Sequence, residues 1–156
     1  MTRELWFSSE IYRNLHRICE EEAKDMVSIA NKAIQSILTI HAYTREGKIF
    51  VARDPLTKNI HIEWVIEIPQ SLDEKEGRDQ CLRVYCSDKV YEGLVRTAGE
   101  MGCSVSDVLC KGVALYETIH EHRSHGRTFG IITPSVELST FYTGYTGDYD
   151  FTVPLG

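Results

Sequence analysis

The chain has 156 residues, of which 42% are hydrophobic and 26% charged, and its net charge is −6. These proportions are typical of a globular protein and exclude a disordered chain, a collagen-like chain and a coiled-coil rod. Seventeen Lys and Arg residues against twenty-three Asp and Glu residues also argue against a general polyanion binder, because phosphate contacts need clustered cations. The length fits one domain, or two very small ones that share a core.

The N-terminal segment 1–10 has no basic region followed by an apolar one, so it does not resemble a signal peptide. No apolar run approaches the eighteen or so residues that a membrane span needs. The five cysteines are odd in number and form no C-x-x-C pair. Reduced thiols in a cytoplasmic protein are the simplest interpretation, so we expect no membrane partner and a cytoplasmic location.

The chain contains an internal repeat with an offset of 79 residues and no gap. Segment 8–55 is identical to segment 87–134 at twelve of 48 positions, where random composition gives roughly three identities. The identical pairs are Ser8/Ser87, Tyr12/Tyr91, Leu15/Leu94, Arg17/Arg96, Glu21/Glu100, Lys32/Lys111, Thr39/Thr118, Ile40/Ile119, His41/His120, Gly47/Gly126, Phe50/Phe129 and Pro55/Pro134. We interpret the match as a duplication.

Each copy begins with a short extended segment, at 3–7 or 82–86, in which apolar and polar residues alternate. A period of two predicts a half-buried strand, with Leu5 and Phe7 inward and Glu4 and Trp6 outward. Two amphipathic helices follow, each preceded by a residue type that favours the N-cap position. The predicted N-caps are Ser8 or Ser9, Asp25, Ser87 and Ser104, the last with Asp107 in a capping box.

Small residues indicate where the helices meet and end. Ala33 and Gly112 occupy the same position of the repeat, which predicts a close crossing of the two second helices. Gly102 is placed to end the first helix of the second copy, and Gly47 and Gly126 to end the second helices.

The pattern becomes extended after each second helix. Segments 48–53 and 60–68 predict a β-hairpin around a turn at 54–59, and a charged linker at 71–80 leads to the second copy. A Thr-, Tyr- and Gly-rich tail without Lys or Arg follows at 140–153. It is either strand and turn or an arm that becomes ordered on binding.

The order of strand, serine-capped helix, tight turn and second helix resembles the ribbon-helix-helix (MetJ/Arc/CopG) superfamily over about 3–47 and 82–126. The second copy has the fuller resemblance, through the spacing of Ser87, Leu94, Ala98, Gly102, Ser104 and Ser106. The resemblance implies a mainly α fold with short β, a tandem ribbon-helix-helix pseudo-dimer with added β-hairpins and one shared core. Its parts are a first unit at 1–50, a hairpin and linker at 51–80, a second unit at 81–130 and an extended tail at 131–156.

In that family the ribbon enters the DNA major groove, and amides at the start of the second helices contact phosphate. The resemblance therefore implies a small regulator whose partner is double-stranded DNA. By position, the base-contacting residues are Glu4, Trp6, Arg83 and Tyr85. The phosphate-contacting residues lie at the starts of the two second helices: they are Val27 and Ser28, near Met26, in the first copy and Val105 and Ser106 in the second. Residues 1–50 hold seven cations and seven anions, and 81–130 hold six of each, so neither unit is basic.

The alternative is an acidic protein-interaction module that keeps the fold without DNA binding. Its partner would contact the aromatic ribbon face, the hairpin that contains Trp64, or the C-terminal tail. A DNA-binding regulator needs a positive patch in three dimensions, whereas an interaction module needs an apolar patch in acidic surroundings. The candidate cations for such a patch are Arg3, Lys24, Arg83 and Lys89.

Three histidines, His120, His122 and His125, form H-x-H-x-x-H near a helix end. A metal-responsive regulator would need a break in that helix, because residues 120 and 122 do not share a helix face. The simpler interpretation is that the helix dipole favours them there. His41 and His120 are related by the repeat and either face each other or lie on the surface. No nucleophile elbow, phosphate-binding glycine loop or H-E-x-x-H motif is present, so we expect neither an enzyme nor a cofactor.

Overall fold

The computed structural model describes residues 2–54, 63–70, 80–134 and 147–150. This part of the chain is mainly helical with short antiparallel strands, as the sequence predicts. In chain order the elements are β1 (Thr2–Phe7), α1 (Ser9–Glu22), α2 (Met26–Arg45), β2 (Ile49–Arg53), β3 (Glu63–Val65), β4 (Gln80–Tyr85), α3 (Asp88–Met101), α4 (Val105–Ser124), β5 (Thr128–Pro134) and β6 (Gly147–Asp150).

The predicted N-caps begin all four helices. The Ser8 hydroxyl accepts from the Ile11 amide at 3.2 Å, and the Ser87 hydroxyl accepts from the Val90 amide at 3.2 Å. The Asp25 carboxylate and the Ser104 hydroxyl accept the corresponding bonds at α2 and α4, and Asp107 completes the capping box. Local side-chain chemistry therefore accounts for where each helix starts.

The turn between the two helices of each copy needs a left-handed residue. Gly102 provides it after α3, with φ of +68°. Ala23 occupies the equivalent position after α1 and adopts the same conformation, with φ of 54°. The first copy thus keeps the turn of the second copy without its glycine.

Strands β1 and β4 pair as a two-stranded antiparallel ribbon. Leu5, Phe7 and Val84 point into the core, and Trp6 and Tyr85 are exposed, so the predicted alternation is confirmed. The central partners of the ribbon are Glu4 and Arg83, which are 79 residues apart. The ribbon therefore joins equivalent positions of the repeat.

A four-stranded antiparallel sheet has the strand order β3-β2-β5-β6. Its two central strands, β2 and β5, follow the C-terminal ends of α2 and α4. The predicted hairpin of the first copy is confirmed as β2 and β3, and the second copy adds β5 and β6. Strands β2 and β5 pair with Val51 opposite Gly130, again 79 residues apart. The rings of Phe50 and Phe129, also equivalent in the repeat, stack with centroids 6.0 Å apart.

The helices of the two copies interlock around one core. Helix α2 packs against α4 with Ala33 beside Gly112, which confirms the predicted crossing. Helix α1 packs on α4, and α3 packs on α2, so each first helix contacts the second helix of the other copy. The buried cluster draws on both copies and on the sheet.

Some predicted segments fall outside the described residues. They are the hairpin turn from Pro55 onward, the charged linker up to residue 79, and the C-terminal tail apart from β6. Within the described helices, none is long and apolar enough to cross a membrane.

Candidate nucleic-acid interface

The outer ribbon face consists of the side chains of β1 and β4 that point away from the helices. Its members are Thr2, Glu4, Trp6, Cys81, Arg83 and Tyr85. The two aromatic residues lie toward opposite ends of this face, and 42% of Trp6 and 69% of Tyr85 is exposed. The four base-contacting residues predicted from the sequence therefore share one face.

Glu4 and Arg83 form an ion pair at the centre of the outer ribbon face, with Arg83 Nη2 3.4 Å from Glu4 Oε1. The Arg83 side chain is 76% exposed and that of Glu4 is 52% exposed. Exposed pairs of this kind contribute about 0–1 kcal/mol, because solvent screens them and two long side chains lose freedom. The predicted base-reading cation is therefore neutralised, but only weakly held.

Helices α4 and α2 pack against the two strands of the ribbon. The Ser106 hydroxyl donates to the carbonyl oxygen of Trp6 at 2.6 Å, which fixes the first turn of α4 beside β1. Helix α2 packs against β4, and Val27, the equivalent of Ser106, is 37% exposed. The predicted phosphate-contacting position Ser106 thus borders β1, and the helix that carries Val27 packs against β4.

Acidic side chains occupy part of these N-termini. The Ser28 amide donates to the Asp25 carboxylate at 2.7 Å, so it is engaged within the protein. At α4 the Asp107 amide donates to the Ser104 hydroxyl, and the Asp107 carboxylate accepts from the Ser104 amide, both at 3.1 Å. The amides better placed for a phosphate are those of the first two helical residues, Met26 and Val27 in α2 and Val105 and Ser106 in α4.

Two of the four cations considered for a positive patch are paired with carboxylates. Arg83 pairs with Glu4, and Arg3 Nη2 lies 2.9 Å from Asp88 Oδ1. The Arg3 guanidinium also stacks over the Tyr91 ring, 3.8 Å from its centroid. The other two, Lys24 and Lys89, are exposed. The surroundings of the ribbon are therefore mixed in charge.

Trp64, the aromatic residue of the predicted hairpin, packs within the protein. The Arg127 guanidinium lies 3.7 Å from the centroid of its ring, and the His122 ring is 5.8 Å away. Trp64 is consequently half-buried, and it offers less contact area to a partner than Tyr85 does.

The three histidines near the end of α4 have separate contacts. The helix continues through them to Ser124, so His120 and His122 point in different directions. His120 Nε2 lies 2.5 Å from Glu21 Oε2, the Arg127 guanidinium donates to His122 Nδ1, and His125 Nδ1 donates to the Glu121 carbonyl oxygen. Among the described residues, no group of three His, Cys, Asp or Glu side chains is arranged to hold a metal ion.

The repeat-related histidines His41 and His120 contact carboxylates of the opposite copy. His41 Nε2 lies 3.7 Å from Glu100 Oε2, and His120 contacts Glu21, the equivalent of Glu100. Burial, with a smaller effect of the Arg45 charge, lowers the pKa of His41 below its ordinary value of 6.5. Burial and the Arg127 charge lower the pKa of His122 in the same way.

Lys111 is a buried charged residue that the sequence analysis did not single out. It is only 8% exposed, and its ammonium donates to the Gln70 carbonyl oxygen at 3.0 Å. The available signal was the identity of Lys32 and Lys111 in the repeat, at the edge of the apolar stripe of the second helix. A lysine at such an edge usually reaches solvent, so its burial depends on the segment packed over it.

No protein-family model matches this chain, and neither a curated protein nor a solved structure matches it. The candidate interface therefore rests on the positions and contacts of its own residues.

Proposed function

We propose that the chain is a tandem ribbon-helix-helix protein in which the two copies form an intramolecular pseudo-dimer. Three contacts that join repeat-equivalent residues support a local twofold axis, at the ribbon, at the helix crossing and in the sheet. They are Glu4 opposite Arg83, Ala33 beside Gly112, and Val51 opposite Gly130. One unit of about 45 residues buries too little apolar surface to fold alone, and two interlocked units share a core.

We further propose that the protein binds double-stranded DNA as a small regulator, by inserting the ribbon into the major groove. The observation that carries this proposal is the outer ribbon face, centred on Glu4 and Arg83, with the N-terminus of α4 bonded to β1 and helix α2 packed against β4. A two-stranded ribbon fits the major groove, and helix N-termini attract phosphate. Arg83, Trp6 and Tyr85 would contact bases, and the first amides of α2 and α4 would contact the backbone.

The ion pair between Glu4 and Arg83 sets the energetic condition for this activity. DNA must compete with Glu4 for the guanidinium, and an exposed pair worth about 0–1 kcal/mol yields to a bidentate contact with guanine worth about 1–3 kcal/mol. Glu4 nevertheless places a negative charge near the phosphates. Removing that charge should therefore strengthen binding.

The test is fluorescence anisotropy with random and genomic duplexes, titrated from low to physiological salt. Arg83→Ala should weaken binding about 5- to 150-fold and relax sequence preference at one position. Glu4→Gln should strengthen binding severalfold. Arg96→Ala is the matched control, because Arg96 is also a surface arginine, 74% exposed, that pairs with a glutamate away from the ribbon. A salt slope of several units would support the groove-binding mode.

Absence of binding at low salt would overturn the DNA proposal. Equal losses in Arg83→Ala and Arg96→Ala would also contradict it, because they would indicate a general charge effect.

A second candidate function is protein recognition by the same face. The exposure of Trp6 and Tyr85 favours it, because large aromatic side chains on an open surface are typical of interaction sites. A photoreactive residue placed at Thr2, next to Tyr85 across the ribbon, should then crosslink one specific partner. The double variant Trp6→Ala/Tyr85→Ala should abolish that crosslink, whereas Arg96→Ala should keep it.

We place this activity in the cytoplasm. All five cysteines are free, and three of them, Cys19, Cys86 and Cys110, are buried in the core. Free thiols persist in a reducing compartment.

A further inference from the structure

A cavity of about 530 Å³ lies between the C-terminal half of α2, the end of α3 and the first-copy hairpin. Its apolar wall includes Phe50, Ile66, Ile68 and Met101, and its polar groups include His41 and Lys111. The volume is within the range of about 300–1,000 Å³ that small-molecule sites occupy. The cavity is separate from the outer ribbon face, since none of its lining residues belongs to that face.

The cavity contains hydrogen-bonding capacity that the described residues leave unused. Lys111 is more than nine-tenths buried, and its ammonium has three donors, of which one bonds the Gln70 carbonyl oxygen. His41 Nε2 is buried without a hydrogen bond to any described residue, since Glu100 Oε2 at 3.7 Å is beyond bonding distance. A buried ammonium with one neutral acceptor is costly and favours a further anionic partner.

The acidic groups around the cavity are neutralised or lie at its rim. Glu100 contacts the guanidinium of Arg45, and its other oxygen lies 3.8 Å from Arg96 Nε. Glu67 is exposed, and Lys48, also at the rim, pairs with Glu46 at 3.0 Å. The interior thus retains Lys111 as its uncompensated charge among the described lining residues.

At the corresponding place in the other half of the repeat, polar side chains contact one another. Arg123 stands where the cavity has Thr44, and Glu22 stands where it has Met101. The Arg123 guanidinium donates to the Tyr116 hydroxyl at 3.3 Å and lies 3.8 Å from Glu22. The duplicated halves have therefore diverged, since one half has a polar cluster of Arg123, Tyr116 and Glu22 and the other has the cavity.

We propose that this cavity binds a small organic monocarboxylate with an apolar body. The carboxylate accepts from the Lys111 ammonium and from the His41 ring, and the apolar part packs on Phe50, Ile66 and Met101. The site does not depend on DNA binding, so either proposal can fail without the other.

The test uses octanoate, phenylacetate and indoleacetate as probes, each with its neutral amide, and acetate as a carboxylate without an apolar body. Isothermal calorimetry gives affinity, and thermal unfolding gives stabilisation. At least one of the three carboxylates should bind, raising Tm by about 5–10 °C at a hundredfold excess over its Kd. Its amide and acetate should bind at least about tenfold more weakly, because charge and apolar contact are both required.

Two variants separate the site from general effects. Lys111→Met removes the ammonium but keeps an apolar side chain of similar length, and Thr44→Phe adds a bulky side chain to the cavity wall without adding a cation. Each should weaken binding about tenfold or more. Lys32→Met, at the repeat-equivalent position, is the control and should leave binding unchanged.

The proposal is overturned if none of the three carboxylates binds, or if an amide binds as tightly as its acid. Unchanged affinity in both Lys111→Met and Thr44→Phe would equally overturn it. Since the two variants perturb different walls of the cavity, a folding defect in one still leaves the other as a test.

Discussion

The carbonyl oxygen of Ala33 lies 3.1 Å from the position that a β-carbon on Gly112 would occupy. The same β-carbon would lie 3.3 Å from Ile37 Cγ2. Ala33 and Gly112 are 79 positions apart in the chain, so they occupy the same position in the two copies of the repeat. The crossing of α2 and α4 therefore depends on the absence of a side chain at one of two equivalent positions.

Gly112→Ala should destabilise the protein by about 1 kcal/mol. A gain of about 1 kcal/mol in helix propensity is outweighed by overpacking of about 1–3 kcal/mol against a backbone atom that cannot easily move. Gly99→Ala is the control, because an added β-carbon there meets nothing within 4 Å, and it should stabilise by about 0.5–1 kcal/mol. Urea unfolding measures both, and stabilisation by Gly112→Ala would contradict the crossing.

Ala23→Gly should stabilise the protein by about 1 kcal/mol, and Gly102→Ala should destabilise it by a similar amount. Both residues are left-handed, with φ of 54° and 68°, and both are exposed, so the difference comes from the backbone alone. Thermal unfolding should shift by about 2–4 °C in opposite directions. Shifts of the same sign would show that another contact dominates.

Stability should fall as the pH decreases below about 6.5, in part because of His41 and His122. Burial holds the pKa of each imidazole below 6.5, so the unfolded chain binds more protons than the folded one as the pH decreases. Each such proton contributes at most about 1.4 kcal/mol per pH unit. His122→Gln should therefore reduce the difference between the unfolding free energies at pH 7.5 and pH 5.5.

His16→Gln serves as the control for that measurement, because 59% of the His16 side chain is exposed. If His122→Gln and His16→Gln have the same pH dependence as the unmodified chain, burial of His122 does not contribute.

Cys81 should be the first thiol that iodoacetamide modifies in the folded protein. It is partly exposed on the outer ribbon face opposite Trp6, whereas Cys19, Cys86 and Cys110 are buried. Cys103 is also partly exposed, but burial raises its pKa, which reduces its reactive thiolate fraction. Peptide mapping should place the first adduct on Cys81, and Cys81→Ser should delay modification. A first adduct on Cys103 would contradict this order.

Local sequence signals predicted much of the fold. The alternation around Leu5 and Phe7 specified the inward face of the ribbon, and short polar side chains such as Ser8 and Asp25 specified the helix starts. Each of these signals involves only a few neighbouring residues, so it can be recognised from the sequence alone. The close contact between Ala33 and Gly112 could also be predicted, because the repeat aligns these two small residues.

Other features depend on partners that are distant in sequence. The two hairpins join through β2 and β5, and no local pattern indicates which edge strand a hairpin will meet. The pairing of Arg83 with Glu4 follows from the ribbon register, and the ammonium of the buried Lys111 bonds the carbonyl oxygen of Gln70, 41 residues away in the chain. The sequence therefore predicted which residues are exposed on the outer ribbon face. It predicted neither the ion pair between Glu4 and Arg83 nor the cavity.

The pairings of β1 with β4 and of β2 with β5 have a kinetic consequence. Each of these strand pairs is centred on residues 79 positions apart. Neither the ribbon nor the pairing of β2 with β5 can therefore form until about half the chain has closed into a loop. Closing such loops costs entropy before native contacts compensate for it, which slows folding relative to helical bundles with local contacts. The helices account for most of the described secondary structure, yet we expect the search for distant strand partners to set the folding rate.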